Sequence, residues 1–300
     1  MKIVNIMGGL GNQMFEYAFA LSLQERFPEE EVLIDTSHYG HIFFKRYKGA
    51  NLHNGFEVHK VFPNAKLKVA KPWQLMRVTW YMPNYVLSRI VRRLLPVRKN
   101  EIIQTEEDFF VHHEEYYQVK GDAYYEGIWG SVKNYVSIRN KLQNVYAHGT
   151  PDEMNAKYIE KMEAENSVGI HIRRGDYLMC PDFMGISDLD YYDRAIKEIQ
   201  KDGLRHTYYI FSNDIQWCAR NITPLCGDGN VMLVTNNTGK NSVWDMFLMT
   251  HCKDLVMLIV HFLGGELSSI SEEVKLLRRR NGLTVIQSLI FGWMNGQDCK

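Results

Sequence analysis

The sequence predicts an α/β protein of two domains, the second a parallel sheet covered by helices on both faces. Three observations predict it. The chain opens on a strand, a glycine turn, a helix and a second strand, a βαβ unit. Its second half alternates short apolar β-type runs with stretches of helical periodicity. A turn-rich segment at 148–152 separates the halves, and 300 residues suffice for two domains of ordinary size. The boundary therefore falls between 1–150 and 151–300.

The first predicted strand covers residues 2–7. Gly8-Gly-Leu-Gly11 forms the turn, and a helix follows with Asn12 as its N-cap and Met14, Phe15, Ala18, Phe19, Leu21 and Leu23 as its apolar stripe. The second strand, 31–35, ends in Asp35. Such a turn presents backbone amides at a helix N-terminus. The spacing differs from a dinucleotide fingerprint, because Met14 stands where a third glycine belongs. Two readings stay open: a turn that lets the helix pack closely on the strand, or a ligand contact through Asn12 and Gln13.

Residues 38–62 are irregular and aromatic. Residues 72–99 interleave Trp73, Leu75, Met76, Trp80, Leu87, Ile90 and Leu94 with Arg77, Arg89, Arg92, Arg93, Arg98 and Lys99, broken at Pro83 and Pro96. The plain reading is a pair of amphipathic helices with a basic outer face. The alternative is a surface that rests on anionic lipid. A helix is expected over 137–146, before the linker.

Beyond it the expected order is strand 167–172, helix 189–202, strand 207–212, helix 214–220, strand 231–234, helix 242–251 and a strand from Asp254. The first of these strands runs directly into Arg173, Arg174, Gly175 and Asp176. Two guanidinium forks at the carboxyl end of a parallel strand stand where α/β sheets bind ligands, and they match phosphate oxygens in bidentate geometry. His171, at the same strand end, reads equally well as structural or functional.

Composition narrows the classes. Apolar content of 45% and charged content of 23% are those of a soluble globular protein. Lys+Arg and Asp+Glu both number 35, so no global field argues for nucleic acid. With 17 Tyr and 6 Trp the chain is mildly enriched in sugar-stacking residues. Met1 leads straight into a strand and no apolar run approaches membrane-spanning length, so the expected location is cytoplasmic, with peripheral contact at the inner face of the membrane through 72–99. The five cysteines lack metal spacing and are expected to be inert thiols.

Gly8-Gly-Leu-Gly-Asn-Gln-Met-Phe15 together with His171-Ile-Arg-Arg-Gly-Asp176 closely resembles the bacterial α-1,2-fucosyltransferases of glycosyltransferase family 11. Tyr124–Tyr135, Tyr209–Asp214 and Asp245–Lys253 resemble further blocks of that family, so the likeness runs to about residue 256. The resemblance implies two Rossmann-like domains facing a cleft, the GT-B type. It makes 1–150 the acceptor side and 151–300 the GDP-fucose side. It implies transfer of L-fucose from GDP-β-L-fucose to the 2-hydroxyl of a galactose-terminated glycan of the O-antigen or capsule kind, with inversion. Arg173 would stabilise the departing diphosphate, with Arg174 and Asp176 in support. Asp176 lies beside two cations that favour its weakly basic ionised form, so it fixes an arginine more readily than it acts as a base. His171, Asn213, Asp214 and Asp245 join the donor side, and Asn12, Gln13 and His53 the acceptor side. No cofactor and no obligatory metal are expected, since the Asp188-Leu-Asp190 pair reads as a helix cap. A rival of another class is a GDP-sugar-binding relative that has lost catalysis. An NAD-dependent enzyme is disfavoured by the missing glycine.

One departure from that family stands out. After its Cys-Lys block the family continues Ala-Asn-Ser-Ser-Phe-Ser-Trp-Trp-Gly-Ala, whereas this chain reads Met257-Leu-Ile-Val-His-Phe-Leu-Gly-Gly-Glu266. Back-translation from the last base of codon 257 permits the family stretch in the shifted frame. Leu277–Gly282 permits another familiar element, Ala-Pro-Lys-Lys-Trp. The expectation is that one base is missing near codon 257 and that residues beyond Val256 are out of frame and need not pack. A hydroxyl-rich loop expected to hold nucleotide phosphates is then absent, which gives the binding-only rival its weight.

Overall fold

The structure, a computed structural model, describes residues 1–40, 55–82, 85–174, 189–257 and 276–278. It divides into two compact units, Met1–Gly149 and Thr150–Lys300.

The first unit contains β1 (Lys2–Asn5), α1 (Leu10–Arg26), β2 (Val32–Asp35), α2 (Val58–Val61), β3 (Lys68–Val69), α3 (Pro72–Val78), α4 (Tyr85–Leu94), β4 (Glu101–Ile103), β5 (Ala123–Glu126) and α5 (Arg139–Val145). Its five strands pair in parallel in the order β3-β2-β1-β5-β4. Side chains alternate across the sheet, as the strand period requires. Ile3, Leu33 and Tyr124 pack with Leu75 and Val78 of α3. Next to Tyr124 in β5, Tyr125 meets Phe19 of α1, whose ring stacks on Trp129 with centroids 4.1 Å apart. Two expectations need correction here. The sequence reading placed no strand over 123–126, because aromatics disguise the run, yet β5 is interior to the sheet. Asn12 is also not the N-cap: α1 begins at Leu10 and Gly9 occupies the cap with extended backbone and no side-chain bond. Gly8 takes φ +75°, and a Cβ there would lie 2.6 Å from the Asn12 amide nitrogen, so the turn requires glycine.

The second unit contains α6 (Glu153–Ala164), β6 (Ser167–Ile172), α7 (Leu189–Gln200), β7 (Thr207–Ser212), α8 (Ile215–Asn221), β8 (Asn230–Leu233), α9 (Val243–His251), β9 (Asp254–Met257) and β10 (Leu276–Arg278). The order is β10-β9-β6-β7-β8, with β6 to β9 parallel and β10 antiparallel on β9. Val168, Ile170 and Ile172 pack against Tyr192, Ile196 and Ile199 of α7 and Cys218 and Ile222 near α8. The opposite face joins Tyr209, Phe211 and Leu255 to Met162 of α6 and Leu248 and Met249 of α9. Helices thus cover both faces, as the alternation predicts. Gly169 lets β9 approach, since a Cβ would meet Leu255 at 2.9 Å. Cys218, Cys226 and Cys252 are buried free thiols, as expected.

The tail beyond Val256, expected to be out of frame, lies outside the described residues except for Met257 and β10. The backbone of 276–278 pairs with β9, where the sequence reading expected no packing.

Candidate active site

Because β6, β7 and β8 run parallel, their carboxyl ends emerge at one sheet edge. That edge carries Arg173 and Arg174 after β6, Asn213 and Asp214 after β7, and Asn236 and Asn237 after β8. β6 is the middle strand of five, so its arginines leave the centre of the sheet.

The two arginines have different surroundings. Arg174 is anchored: its backbone N–H donates to Asn213 Oδ1 at 2.9 Å, and its Nε lies 3.5 Å from Asp214 Oδ2. Its guanidinium carbon sits 3.8 Å from the centroid of the Trp217 ring, a cation–π stack that only a planar cation makes well. Asp214 in turn caps α8, accepting from the Trp217 N–H at 3.1 Å, while its own N–H donates to Ser212 Oγ at 3.0 Å. Asn213 and Asp214, expected at the nucleoside, are therefore engaged in holding Arg174. Arg173 is exposed beside this anchored partner.

His171 is only partly exposed, and removal from water pushes its ring pKa down to about 4, with the Arg173 charge adding to the drop. It is neutral at physiological pH and adds no cation to the site. Its carbonyl accepts from Tyr192 Oη at 3.3 Å, tying the strand end to α7.

Asp245 sits in the first turn of α9 and accepts from the Asn237 amide at 2.9 Å. Asn237 and the fully buried Asn155 exchange amide hydrogen bonds at 3.0 and 3.1 Å, and Asn236 donates to both. Asn155 belongs to α6, whose cap Asp152 binds the Asn155 N–H at 2.8 Å. The loop after β8 is thereby pinned to two helices. Burial pushes the Asp245 carboxyl up to about 6, the Asn237 donor opposing that rise.

In the first unit, Gln13 is fully buried and its amide is committed: Nε2 donates to Gly8 and Gly55 carbonyls at 3.1 and 2.9 Å, and Oε1 accepts from the Glu57 N–H at 2.8 Å. It holds two loops together and leaves Asn12, partly exposed, as the side chain of that pair that a ligand could meet. Glu16, buried under the same loop, accepts from the Met7 N–H at 2.8 Å, and burial raises its pKa well above the usual carboxylate range. His53, Asp176 and Asp188 lie outside the described residues. Among the described residues no group of three or more His, Cys, Asp or Glu is placed to hold a metal.

Sequence reasoning missed Trp217 and the asparagine cluster. Asp214 followed three residues later by Trp217 was the available signal for the first, and the adjacent pair Asn236-Asn237 for the second.

The α-1,2-colitosyltransferase of Escherichia coli is 26% identical over 265 residues, 84% of this chain and 81% of that protein. The galactoside α-(1,2)-fucosyltransferase 2 of Hylobates lar is 25% identical over 273 residues, 87% of this chain and 67% of that protein. Among solved structures, the α-1,6-fucosyltransferase NodZ co-crystallised with GDP is similar with 14% identity and a TM-score of 0.47, over 87% of this chain and 89% of that one. The family model for glycosyl transferase family 11 matches residues 1–277, twenty-one residues past Val256. With the glycine turn, the arginine pair and a family match over most of its length, the chain is a glycosyltransferase and belongs to glycosyl transferase family 11.

Proposed function

We propose that this glycosyltransferase moves L-fucose from GDP-β-L-fucose to the 2-hydroxyl of a terminal galactoside, with inversion at the anomeric carbon. The acceptor oxygen forms its bond to that carbon as the bond to the β-phosphate oxygen breaks; GDP leaves carrying the electron pair, and the hydroxyl proton passes to solvent or to the departing phosphate. The observation that carries the reading is the pair of adjacent guanidinium groups at the carboxyl end of β6. Arg174 is locked by Asn213, Asp214 and Trp217, and Arg173 stands exposed next to it. A guanidinium held where negative charge grows on the leaving phosphate lowers the barrier rather than merely tightening binding. Asp245 and the asparagine-pinned loop serve the nucleoside, Asp176 fixes an arginine, and Asn12 and His53 serve the acceptor. The neutral His171 shapes the strand end.

Arg173→Ala is expected to cost about 2–4 kcal/mol of transition-state stabilisation. Arg173→Lys is expected to recover little of it, because the fork is lost. Comparing kcat/KM for GDP-fucose across the three proteins checks this, and full activity in the lysine variant would overturn the assignment. Turnover is expected to survive EDTA. Loss in EDTA with recovery on adding Mn²⁺ would overturn the metal-free reading.

The colitosyl specificity of the E. coli relative favours a second reading, a GDP-linked colitose donor. Colitose lacks the 3-hydroxyl of fucose, so the ratio of kcat/KM for the two GDP-sugars decides between them. GDP binding without turnover of either would support the binding-only rival.

A further inference from the structure

Helix α4 exposes large apolar side chains. Leu87, Ile90 and Leu94, spaced three and four residues apart on one helical face, are 43%, 49% and 79% exposed. Its buried side carries polar groups: Ser88 Oγ bonds the Met82 N–H and carbonyl at 2.5 and 3.0 Å, and Arg92 lies 2.6 Å from carboxylates of both Glu101 and Glu126. The outer face that the plain sequence reading expects to be basic carries Arg93 and these three aliphatic side chains together. Three large aliphatic side chains on one outward helical face make an apolar patch of the kind that marks an interaction surface.

α3 extends the same surface. It buries Leu75 and Val78 and exposes Trp73 at 59% and Met76 at 47%. The segment after α4 is tied back to it: Trp80 Nε1 donates to the Pro96 carbonyl at 2.9 Å, Arg98 donates to the Met76 and Arg77 carbonyls at 3.2 and 3.0 Å, and the Arg98 guanidinium lies 4.1 Å from the Trp80 ring centroid. The charge is one-sided. From Lys71 to Asn100 the chain has seven Lys or Arg and no Asp or Glu, although the whole sequence balances 35 against 35. Arg92 is committed inward and Arg77 pairs with Asp122 at 2.5 Å, but Lys71, Arg93 and Lys99 are exposed.

We propose that the surface formed by α3, α4 and residues 95–99 docks on an anionic phospholipid bilayer. Leu87, Ile90, Leu94 and Trp73 would enter the headgroup boundary while the cations meet lipid phosphates. Short amphipathic helices flanked by Lys and Arg bind in the interface plane without crossing, and no described helix is long and apolar enough to cross a membrane. A second copy of the chain is the poorer occupant, because an isologous contact would set predominantly basic patches against each other.

Vesicle flotation of the full chain tests the proposal, using phosphatidylcholine with and without phosphatidylglycerol. The chain is expected to float with the anionic vesicles at low salt, to release as salt rises, and to ignore neutral ones. Ile90→Glu/Leu94→Glu is expected to weaken binding at least about ten-fold through the lost apolar insertion. Arg93→Glu/Lys99→Glu is expected to do so by a similar factor through charge. Thermal midpoints should be unchanged, because all four side chains are exposed; if the first variant fails to fold, Leu94→Glu alone replaces it. The proposal is overturned if the wild type stays off anionic vesicles, if the folded apolar variant floats as before, or if the patch proves to be covered by self-association that the same variant abolishes.

Discussion

Arg174 is the residue whose surroundings explain its neighbour. A strand-end arginine in water samples many rotamers, and holding one fork in place requires contacts on its face as well as its edge. Trp217 supplies the face and Asp214 the edge, while Asn213 fixes the backbone that the two arginines share. A cation–π contact of this kind contributes roughly 0.5–2 kcal/mol according to its hydration. Trp217→Leu is therefore expected to raise the GDP dissociation constant by about 3- to 30-fold, and Trp217→Phe to keep most of the affinity because a ring face remains. Titration calorimetry with GDP measures both. Equal affinity in the leucine variant would show that the stack is incidental to binding. Trp217 fluorescence should also respond to GDP in the wild type, a signature that a remote packing role would not give.

At the scale of elements, both units store their constraints in loops at strand ends. After β5, Trp129 adopts φ +58°, which for an L-residue costs roughly 1–2 kcal/mol. It is held by Gln104, which accepts from its N–H at 2.9 Å, and by Asn134 and Tyr135, which donate to its carbonyl. The adjacent Gly130 has no room for a side chain, since a Cβ would fall 2.3 Å from the Phe110 ring. Gly130→Ala is expected to lose about 1–3 kcal/mol in urea unfolding. The loop after β8 is expected to respond to pH. The Asp245 pKa is raised in the folded state, so its protonated form is favoured there; that stability is full below about 4 and is lost as pH rises through about 6. Asp245→Asn should accordingly be the more stable protein at pH 8 by about 1–2 kcal/mol, allowing for partial solvent screening, and lose that advantage at pH 4. Thermal midpoints without nucleotide, measured across that range, check the sign. These elements also mark what the sequence could show. The alternating strands and helices from Ser167 to Val256 were legible because burial on both faces makes parallel strands plainly apolar and short. β5 was not, because its tyrosines serve the sheet, the Asp35 network and an aromatic cluster at once. The arginine pair was legible at the residue level. The roles of Gln13 and Asn213 were not, because a side chain committed to a backbone partner looks the same in sequence as one free for a ligand.

For the whole molecule the second sheet sets the remaining question. β9 takes its parallel place beside β6, and beyond it the described chain resumes only at β10, which pairs antiparallel through Leu276, Leu277 and Arg278. Between them the resemblance expects a hydroxyl-rich loop with a Trp-Trp pair, and the shifted frame permits it. Inserting one base near codon 257 is expected to return Ser-Ser-Phe-Ser-Trp-Trp immediately after β9. β9 ends at the same sheet edge as Arg173, because it runs parallel to β6, so the restored hydroxyls would emerge beside the diphosphate position. Burying even one large aromatic contributes about 3–5 kcal/mol, so the corrected chain should unfold at clearly higher urea. It should also bind GDP more tightly and transfer fucose faster than the chain as it stands. Sequencing across codons 255–258 and comparing both proteins in the same transfer assay decides the matter. A confirmed present frame, with no gain in stability or turnover on insertion, would mean that β10 and its neighbours are the native completion of the sheet and that the phosphates are held by the β6 and β7 ends alone.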